Sequence, residues 1–309
     1  MSIIKYRKIF YWFSSLLILS SIFMIMFFGL KFGTDFTGGS LLEFKTENSR
    51  IEKSLVNEAV KNSGVELSDF SLRESADTGY ILRTKNLTLE QKNIILKKVN
   101  EINGQEVIET KFSDIGPTLG SELRSQAILA IILVSLLIVM YVAFVFRKVS
   151  KPVSSWSYGL ITIITFVHDV IIPIGLFAIL GYFFGVEVDT LFVVAILVVL
   201  GYSINDTVVV FDRVRENLLG IDEEQRSSKF EEVVEKSVKD TLARSINTSF
   251  TTLLSLLAIY FIGGEVTKAF SLAMIAGVIS GAYSSIFISA PLLVTIKKHN
   301  DKKLAQQKA

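Results

Sequence analysis

The residue with the clearest potential for chemistry is Asp206, a carboxylate inside a long apolar run. Residues 191–200 before it are all apolar, and residues 208–211 after it are apolar as well. An ionisable group in a membrane span costs roughly 2.5–3.5 kcal/mol at the helix centre, so such residues are rare and usually functional. Polar side chains surround it at Ser203, Asn205 and Thr207. The pattern favours a proton-binding role for Asp206, with a purely structural role as the alternative.

Three other ionisable residues lie within or near predicted spans, namely His168, Asp169 and Arg244. Asp206 falls near the end of the fourth apolar run and Arg244 at the start of the fifth, so we expect them at comparable depth. Opposite charges a few ångströms apart in a low dielectric stabilise each other. The sequence therefore predicts an Asp206–Arg244 ion pair that protonation would break, beside a polar segment containing Asn247. The alternatives are that Arg244 only snorkels to the headgroups and that His168 and Asp169 only pack.

Half of the 309 residues are hydrophobic, and the mean hydropathy is +0.49. The apolar residues gather near 9–30, 124–146, 155–184, 190–211, 245–262 and 269–296. Each run is close to or above the ~18–20 residues that cross a bilayer, which predicts a membrane α-helical protein with six spans. The chain has no cysteine, which rules out disulfides and thiolate metal sites.

Lys and Arg are distributed unevenly between the predicted loops. They are frequent at the N-terminus, at Arg147, Lys148 and Lys151, in segment 212–243 and in the basic tail 297–309, and absent from loop 185–189. By the positive-inside rule both termini are cytoplasmic, and segment 31–123 lies outside. Residues 1–30 would form a cytoplasmic start and a retained first span. The net charge of only +2 suggests no nucleic-acid partner.

The outside segment 31–123 is predicted to be a small α+β domain. Strand candidates and capping boxes alternate in the order β-α-β-β-α-β, which is typical of a ferredoxin-like fold. The strands are expected at 40–45, 65–73, 79–84 and 106–112, with capping boxes at 49–52 and 88–91 and helix ends at Gly64 and Gly104. The segment 40–112 contains neither His nor Cys, so the pattern favours a packed module that contacts something rather than an enzyme.

The remaining spans would form a five-helix bundle at 124–296. Within it, apolar residues at helical spacing predict an amphipathic helix near 228–242 that lies on the inner membrane surface, with a simple connector as the alternative. Gly277 and Gly281 have the small-xxx-small spacing that lets membrane helices approach closely.

Five motifs give the chain a resemblance to the SecD/SecF family of bacterial protein-export membrane subunits. They are the segment from Gly33 to Gly39, residues 115–120 with Gly116 and Pro117, the pair His168-Asp169, the run 201–217, and residues 244–249. The resemblance implies half of a resistance-nodulation-division transporter, in which Asp206 and Arg244 match residues implicated in proton movement. Asp35 lies in a family motif of less certain role, for which a turn with Gly33, Gly38 and Gly39 as flexible corners is the alternative.

The resemblance also implies partners and a task. The six spans would pair with six from SecD, beside the SecYEG channel and YajC, in the bacterial inner membrane. The pair would use the proton-motive force to complete translocation of a preprotein, with protons as the coupling ion, no other cofactor and no enzymatic activity. Three rival readings stay open: an exporter half for lipids or small molecules, a passive scaffold, and an intramembrane aspartyl protease built on Asp169 and Asp206.

Overall fold

The computed structural model describes residues 3–46, 50–65, 67, 70–75, 78–103, 106–146 and 152–308. Several sequence predictions fall outside these residues. They are the first position of the capping box at 49–52, the helix end at Gly104, and the cations Arg147, Lys148 and Lys151.

Six helices are long and apolar enough to cross a membrane. They are α1 (Arg7–Phe28), α5 (Pro117–Val145), α6 (Ser155–Phe184), α7 (Thr190–Leu219), α9 (Phe230–Ile262) and a sixth span made of α10 (Glu265–Ser284), a π turn (Ser285–Ser289) and α11 (Ala290–Lys308). In α6, α7 and the sixth span, 44%, 50% and 61% of the most apolar window is buried, against 11%, 6% and 17% in α1, α5 and α9. The helices α6 and α7 and the sixth span therefore form the centre of the bundle, and α1, α5 and α9 flank it.

A small sheet domain lies between α1 and α5. After the short helix α2 (Thr34–Thr37), the elements are β1 (Gly39–Thr46), α3 (Lys53–Lys61), β2 (Phe70–Glu74), β3 (Gly79–Thr84), α4 (Leu89–Asn103) and β4 (Val107–Ile115). The sheet is antiparallel throughout, in the order β2-β3-β1-β4. Its core is built from inward-facing residues of the strands and both helices, including Leu42, Phe44, Val60, Leu82 and Ile95.

The amphipathic segment 228–242 differs from its prediction as a helix on the membrane surface. It forms the first turns of α9, which continues without a break into the fifth span; only the short α8 (Glu223–Arg226) precedes it in the described part of the connection. Phe230, Val234 and Val238 are fully buried in a cluster with residues at the C-terminal end of α7. Burial of these side chains against protein is what the amphipathic pattern encodes.

The sixth span approaches α7 closely through two glycines, as their spacing predicts. A Cβ on Gly277 would lie 2.2 Å from Val199 Cγ2, and one on Gly281 would lie 3.0 Å from Ser203 Cβ. Real Cβ atoms do not tolerate the first distance. The missing side chains therefore set how near the polar residues of the sixth span come to α7.

We expect Gly277→Ala to lower the stability of the purified protein by about 1–3 kcal/mol, because the added methyl overpacks against Val199. Thermal unfolding in detergent measures this. Gly201→Ala is the matched control, since a Cβ there meets nothing within 4 Å. Adding Val199→Ala to Gly277→Ala should recover part of the loss. Equal unfolding midpoints for the two glycine variants would contradict the close approach.

Candidate functional site

Two carboxylates are buried in the centre of the bundle, Asp169 on α6 and Asp206 on α7. Asp169 is completely buried, and Asp206 is 9% exposed. Buried carboxylates in a low dielectric require donors, because an uncompensated charge costs several kcal/mol. The surrounding helices supply those donors almost entirely as serine hydroxyls.

Asp206 is held by one serine on each of two neighbouring helices. Ser245 of α9 donates to Oδ1 at 2.7 Å, and Ser285 at the start of the π turn donates to Oδ2 at 2.6 Å. Both serines are fully buried. This carboxylate therefore joins three helices, and a change in its proton content alters contacts to α9 and the sixth span together.

Asp169 is held in the same way by serines of α7 and of the sixth span, and by its neighbour His168. Ser203 of α7 donates to Oδ2, and Ser284 of α10 donates to the same oxygen at 2.7 Å. His168 Nδ1 lies 2.8 Å from Oδ1 of Asp169. The imidazole is 1% exposed and stacks on the ring of Tyr283, with 6.0 Å between ring centroids. His168 and Asp169 form one buried hydrogen-bonded unit.

The side chains predicted to support Asp206 separate into inward and outward sets. Ser203 and Thr207 are buried on the face of α7 that carries Asp206, although the Thr207 hydroxyl has no hydrogen-bond partner among the described residues. Asn205 on α7 and Asn247 on α9 are exposed on the outside of the bundle. The two asparagines therefore do not contribute to the carboxylate site.

The predicted ion pair between Asp206 and Arg244 is not formed. Both oxygens of Asp206 are occupied by serines, and across the described chain no ion pair links the carboxylate to Arg244. Arg244 is exposed, whereas the next residue, Ser245, points inward. Consecutive residues on a helix point about 100° apart, so residues at one depth need not face one neighbour. The predicted pair is absent because Arg244 and Asp206 face different neighbours.

Arg244 instead lines a cleft of about 500 Å³ between the C-terminal part of α7 and the N-terminal part of α9. The cleft is rich in charge, with three carboxylates and two guanidiniums. Its lining comprises Val145, Val208, Val209, Asp212, Arg213, Glu216, Asp240, Thr241 and Arg244. Val209 and Thr241 lie within one turn of Asp206 and Ser245, so the cleft ends close to the buried carboxylate.

The glycine motif after α1 packs against the start of α5. Gly38 has φ of +73°, and a Cβ there would meet Pro117 Cα at 2.8 Å; a Cβ on Gly120 would meet the Gly38 nitrogen at 2.8 Å. Gly39, with φ of +127°, would meet Thr84 O at 2.8 Å. Pro117 occupies the first turn of α5 after the N-cap Gly116. These glycines permit close backbone contacts rather than serving as flexible corners.

The same motif caps the N-terminal end of α7. Oδ2 of Asp35 accepts the backbone N–H of Thr190 at 3.0 Å, and Oδ1 of Asp189 accepts that of Phe192 at 2.8 Å. Two carboxylates thus satisfy free N–H groups of the first turn and complement the helix dipole. Gly33 donates its N–H to Val188 O at 2.8 Å, which fixes the motif to the α6–α7 loop.

Glu187 in that loop ties the sheet domain to the bundle. Its carboxylate pairs with Arg83 of β3, with Arg73 of β2 at 3.5 Å and with Lys31 at 4.0 Å. Arg73 also donates to the carbonyl of Gly185. These three cations lie close together where the sheet domain meets the α6–α7 loop, and Glu187 neutralises part of their charge.

The pKa values of the charged groups around Glu187 depend on their burial and on the neighbouring charges. Burial lowers the pKa of Arg83 to about 10, and repulsion from Arg73 acts in the same direction, whereas Asp189 and Asp35 act against it. Burial raises the pKa of Asp189, although its hydrogen bond from Phe192 acts in the opposite direction. Arg83 is therefore still protonated near neutral pH.

Comparison with known proteins identifies the family. The family model for protein export membrane protein SecD/SecF, C-terminal, matches residues 95–299, and the SecD/SecF GG motif matches residues 23–49. The chain is 40% identical to protein translocase subunit SecF of Thermobaculum terrenum over 302 residues, covering 95% of this chain and 93% of that one. This chain belongs to the SecD/SecF family. It is also 37% identical to SecF of Synechocystis sp., covering 94% of this chain and 93% of the relative.

Solved structures of this family share the fold. The crystal structure of SecDF from Thermus thermophilus, a translocon-associated membrane protein, matches with a TM-score of 0.81 and 28% identity. A super-membrane-facing form of SecDF matches with a TM-score of 0.69 at the same identity. The match to the first covers 96% of this chain but only 39% of that SecDF chain. The similarity confirms the prediction of a membrane fold of the SecD/SecF family, with six long apolar helices and a small sheet domain between the first two.

Sequence reasoning missed the hydroxyls that hold the two carboxylates. Ser245 lies in the 244–249 motif, and Ser284 and Ser285 continue the small-residue stretch that follows Gly277 and Gly281. Neither pattern by itself predicts a hydrogen bond to a carboxylate. A signal was available, because consecutive serines one turn from a predicted close-packing glycine are well placed to donate into the bundle. The Glu187 cluster depends on pairing between distant segments and has no local signal.

We expect a single cysteine at Arg244 to react with a water-soluble maleimide far faster than one at Ser245. Arg244 is exposed in the cleft and Ser245 is fully buried, and thiol reactivity requires access. The natural chain has no cysteine, so Arg244→Cys and Ser245→Cys each give one labelled site in the purified protein. Gln225→Cys in exposed α8 sets the fully accessible rate. Faster labelling at Ser245→Cys would show that the described helix orientation is wrong.

Proposed function

We propose that this chain is the SecF-type auxiliary subunit of a bacterial protein translocase. With a SecD-type partner, beside the SecYEG channel and YajC, it uses the proton-motive force to complete translocation of preproteins across the cytoplasmic membrane. Family membership supports the translocase role, since the relatives are named protein translocase subunit SecF. The proton-coupling part rests on the geometry of Asp206.

The observation that carries the coupling proposal is a buried carboxylate that bridges three helices next to an inner cleft. Asp206 is the hydrogen-bond acceptor for α9 and for the sixth span at once. An ionised carboxylate only accepts hydrogen bonds, whereas a protonated one also donates. Gain or loss of one proton at Asp206 therefore changes the contacts among α7, α9 and the sixth span.

The available energy is adequate for such a change. Moving one elementary charge across 100 mV releases about 2.3 kcal/mol, which is enough to shift the populations of two helix packings by more than tenfold. Because packed interfaces are bistable rather than continuously deformable, a local change can select between two arrangements.

A route from Asp206 to the sheet domain runs along α7. The outer end of α7 is capped by Asp35, and the loop before it carries Glu187 with its contacts to Arg73 and Arg83. A tilt or shift of α7 would therefore displace the sheet domain. We propose that this displacement acts on the translocating preprotein.

We propose that the partner half covers the polar side of α7 and α9 that faces away from the interior of this bundle. Asn205 and Asn247 are exposed there, and their amides have no hydrogen-bond partner among the described residues. Exposed amides facing lipid are costly, whereas a neighbouring helix can satisfy them. The SecDF chain of Thermus thermophilus contains this chain's fold in 39% of its length, which leaves ample chain for a second half.

The multi-pass chain is proposed to reside in the cytoplasmic membrane with both termini inside. The sheet domain would then lie outside, and the cleft at Arg244 would face the cytoplasm. This orientation rests on the positive-inside rule.

We expect Asp206→Asn to abolish proton-driven stimulation of export. The amide has the size of the carboxylate but cannot take up a proton at neutral pH, so the switch is held in one state. The measurement is preprotein translocation and proton flux in vesicles containing the SecD partner and the channel, with an imposed proton-motive force. Flux should fall to the level of vesicles that lack the pair.

Asp222→Asn is the matched control for this experiment, because it makes the same chemical change at an exposed residue outside the spans. It should leave export and flux unchanged. Normal export and normal flux in Asp206→Asn would refute proton coupling and favour a passive scaffold. Flux that depends on a lipid or small molecule, without any channel, would favour an exporter half.

We expect a photoreactive benzoyl-phenylalanine at Thr251 to cross-link to the SecD-type partner in membranes. Thr251 is exposed on α9, one turn from Asn247. The same group at Leu19 is the control, because this side chain is 65% exposed on α1, a helix that flanks α6 rather than α7. Cross-linking from Leu19 but not from Thr251 would place the partner beside α1 and contradict this proposal.

A further inference from the structure

The sixth span contains a π turn at Ser285–Ser289, directly beside the two buried carboxylates. A π turn holds one extra residue and is frequent at functional sites. Its position has a local cause, because Pro291 lacks the N–H that would continue α-helical hydrogen bonding to Phe287. The hydroxyl of Ser289 donates to Ser285 O at 2.5 Å and supplies a donor inside the turn. The π turn is therefore encoded by the sequence at this point.

Two consecutive serines at the start of this turn contact different carboxylates. Ser284 Oγ lies 2.7 Å from Oδ2 of Asp169, and Ser285 Oγ lies 2.6 Å from Oδ2 of Asp206. All four side chains are nine-tenths or more buried. The sixth span thus connects the carboxylate of α6 to that of α7 through adjacent residues of one backbone.

Each hydroxyl also has a second acceptor within reach on its own helix. Ser284 Oγ lies 3.2 Å from Gly281 O, and Ser285 Oγ lies 3.1 Å from Ala282 O. A hydroxyl has one hydrogen to donate and two lone pairs. It can therefore donate to the carboxylate while that group is ionised, or donate to the helix carbonyl and accept from the carboxyl once it is protonated.

We propose that Ser284 and Ser285 are positioning residues that link the proton content of Asp206 to that of Asp169 through the sixth span. When a proton binds to Oδ2 of Asp206, the new O–H donates to Ser285 Oγ, and the serine hydrogen turns to Ala282 O. One proton is taken up, and no other is released in this step. Ser284 makes the equivalent change at Asp169. This inference rests on the proposed function and adds to it the residues that couple the two carboxylates.

The adjacency of the serines is what produces coupling. A shift of Ser285 relative to α7 also moves Ser284 relative to α6, since one peptide unit joins them. The helices packed around the two carboxylates carry other titratable or charged groups. Those near the site include His168 and Tyr158 on α6, Tyr202, Asp212 and Arg213 on α7, Tyr283 on α10, and Asp240 and Arg244 on α9. Of these, His168 is in direct hydrogen-bonding contact with the pair, through Asp169.

The test measures proton flux against pH in vesicles that hold the chain and its SecD-type partner. In Ser285→Ala the ionised form of Asp206 loses a charge-assisted donor, so half-maximal flux should move to higher pH by about one unit. Ser285→Cys keeps a weaker donor and should move it less. A variant that merely disturbs packing would lower flux at every pH without moving the midpoint.

Ser280→Ala is the matched control on the same helix. Its hydroxyl is buried but donates to its own helix at Ala276 O and touches no carboxylate. It should leave the midpoint unchanged. Where Ser285→Ala carries too little flux, the midpoint is read from the infrared carboxyl band that Asp206→Asn removes, since this needs no turnover.

Coupling is tested by the double variant. Ser284→Ala should also move the midpoint, and its effect combined with that of Ser285→Ala should be non-additive. Unmoved midpoints in Ser284→Ala and Ser285→Ala, or fully additive shifts, would overturn the inference while leaving the proposed function intact if Asp206→Asn abolishes flux. Normal flux in Asp206→Asn would instead overturn the proposed function.

Discussion

The central constraint in this protein is that two carboxylates must be accommodated where water is scarce. Serine hydroxyls from α7, α9 and the sixth span meet this demand at Asp169 and Asp206. Short side chains can donate only if their helices approach closely, and Gly277 and Gly281 permit that approach. The close packing at the bundle centre and the polar site are therefore one design, because each depends on the other.

Much of the fold was predictable because it follows from local patterns. Span lengths, the capping box at 88–91 and alternating strands predict six spans and a β-α-β-β-α-β domain, and the structure has six helices long enough to span a membrane and this element order. The capping box predicted at 49–52 does not start a helix, since α3 begins at Lys53 with Glu52 as its N-cap. Asp206 and Asp169 were predictable as functional candidates because charge in an apolar run is anomalous. The direction of Arg244 was not, since a one-residue error rotates a helical side chain by about 100°. The position of a residue along a helix can be predicted by counting residues, but the direction of its side chain depends on how the neighbouring helices are arranged.

The amphipathic segment at the start of α9 illustrates the same limit. An apolar stripe shows that a helix buries one face, but not whether lipid or protein covers it. Here α7 extends to Leu219, and its Phe211 and Val214 belong to the same buried cluster as Phe230 and Val234. A long fourth helix therefore converts an expected membrane-surface helix into an extension of the fifth span.

Because α7 is long, it connects the carboxylate site to contacts at both of its ends. Thirty residues at 1.5 Å each make a rod of about 45 Å. Its N-terminal end is capped by Asp35, its middle carries Ser203 and Asp206, and its C-terminal part lines the charged cleft. Because α7 is held at both ends and in the middle, a movement at one of these points also affects the others. Under the proposed coupling, a movement of α7 on protonation of Asp206 would reach the cleft, the contact with the sheet domain, or both.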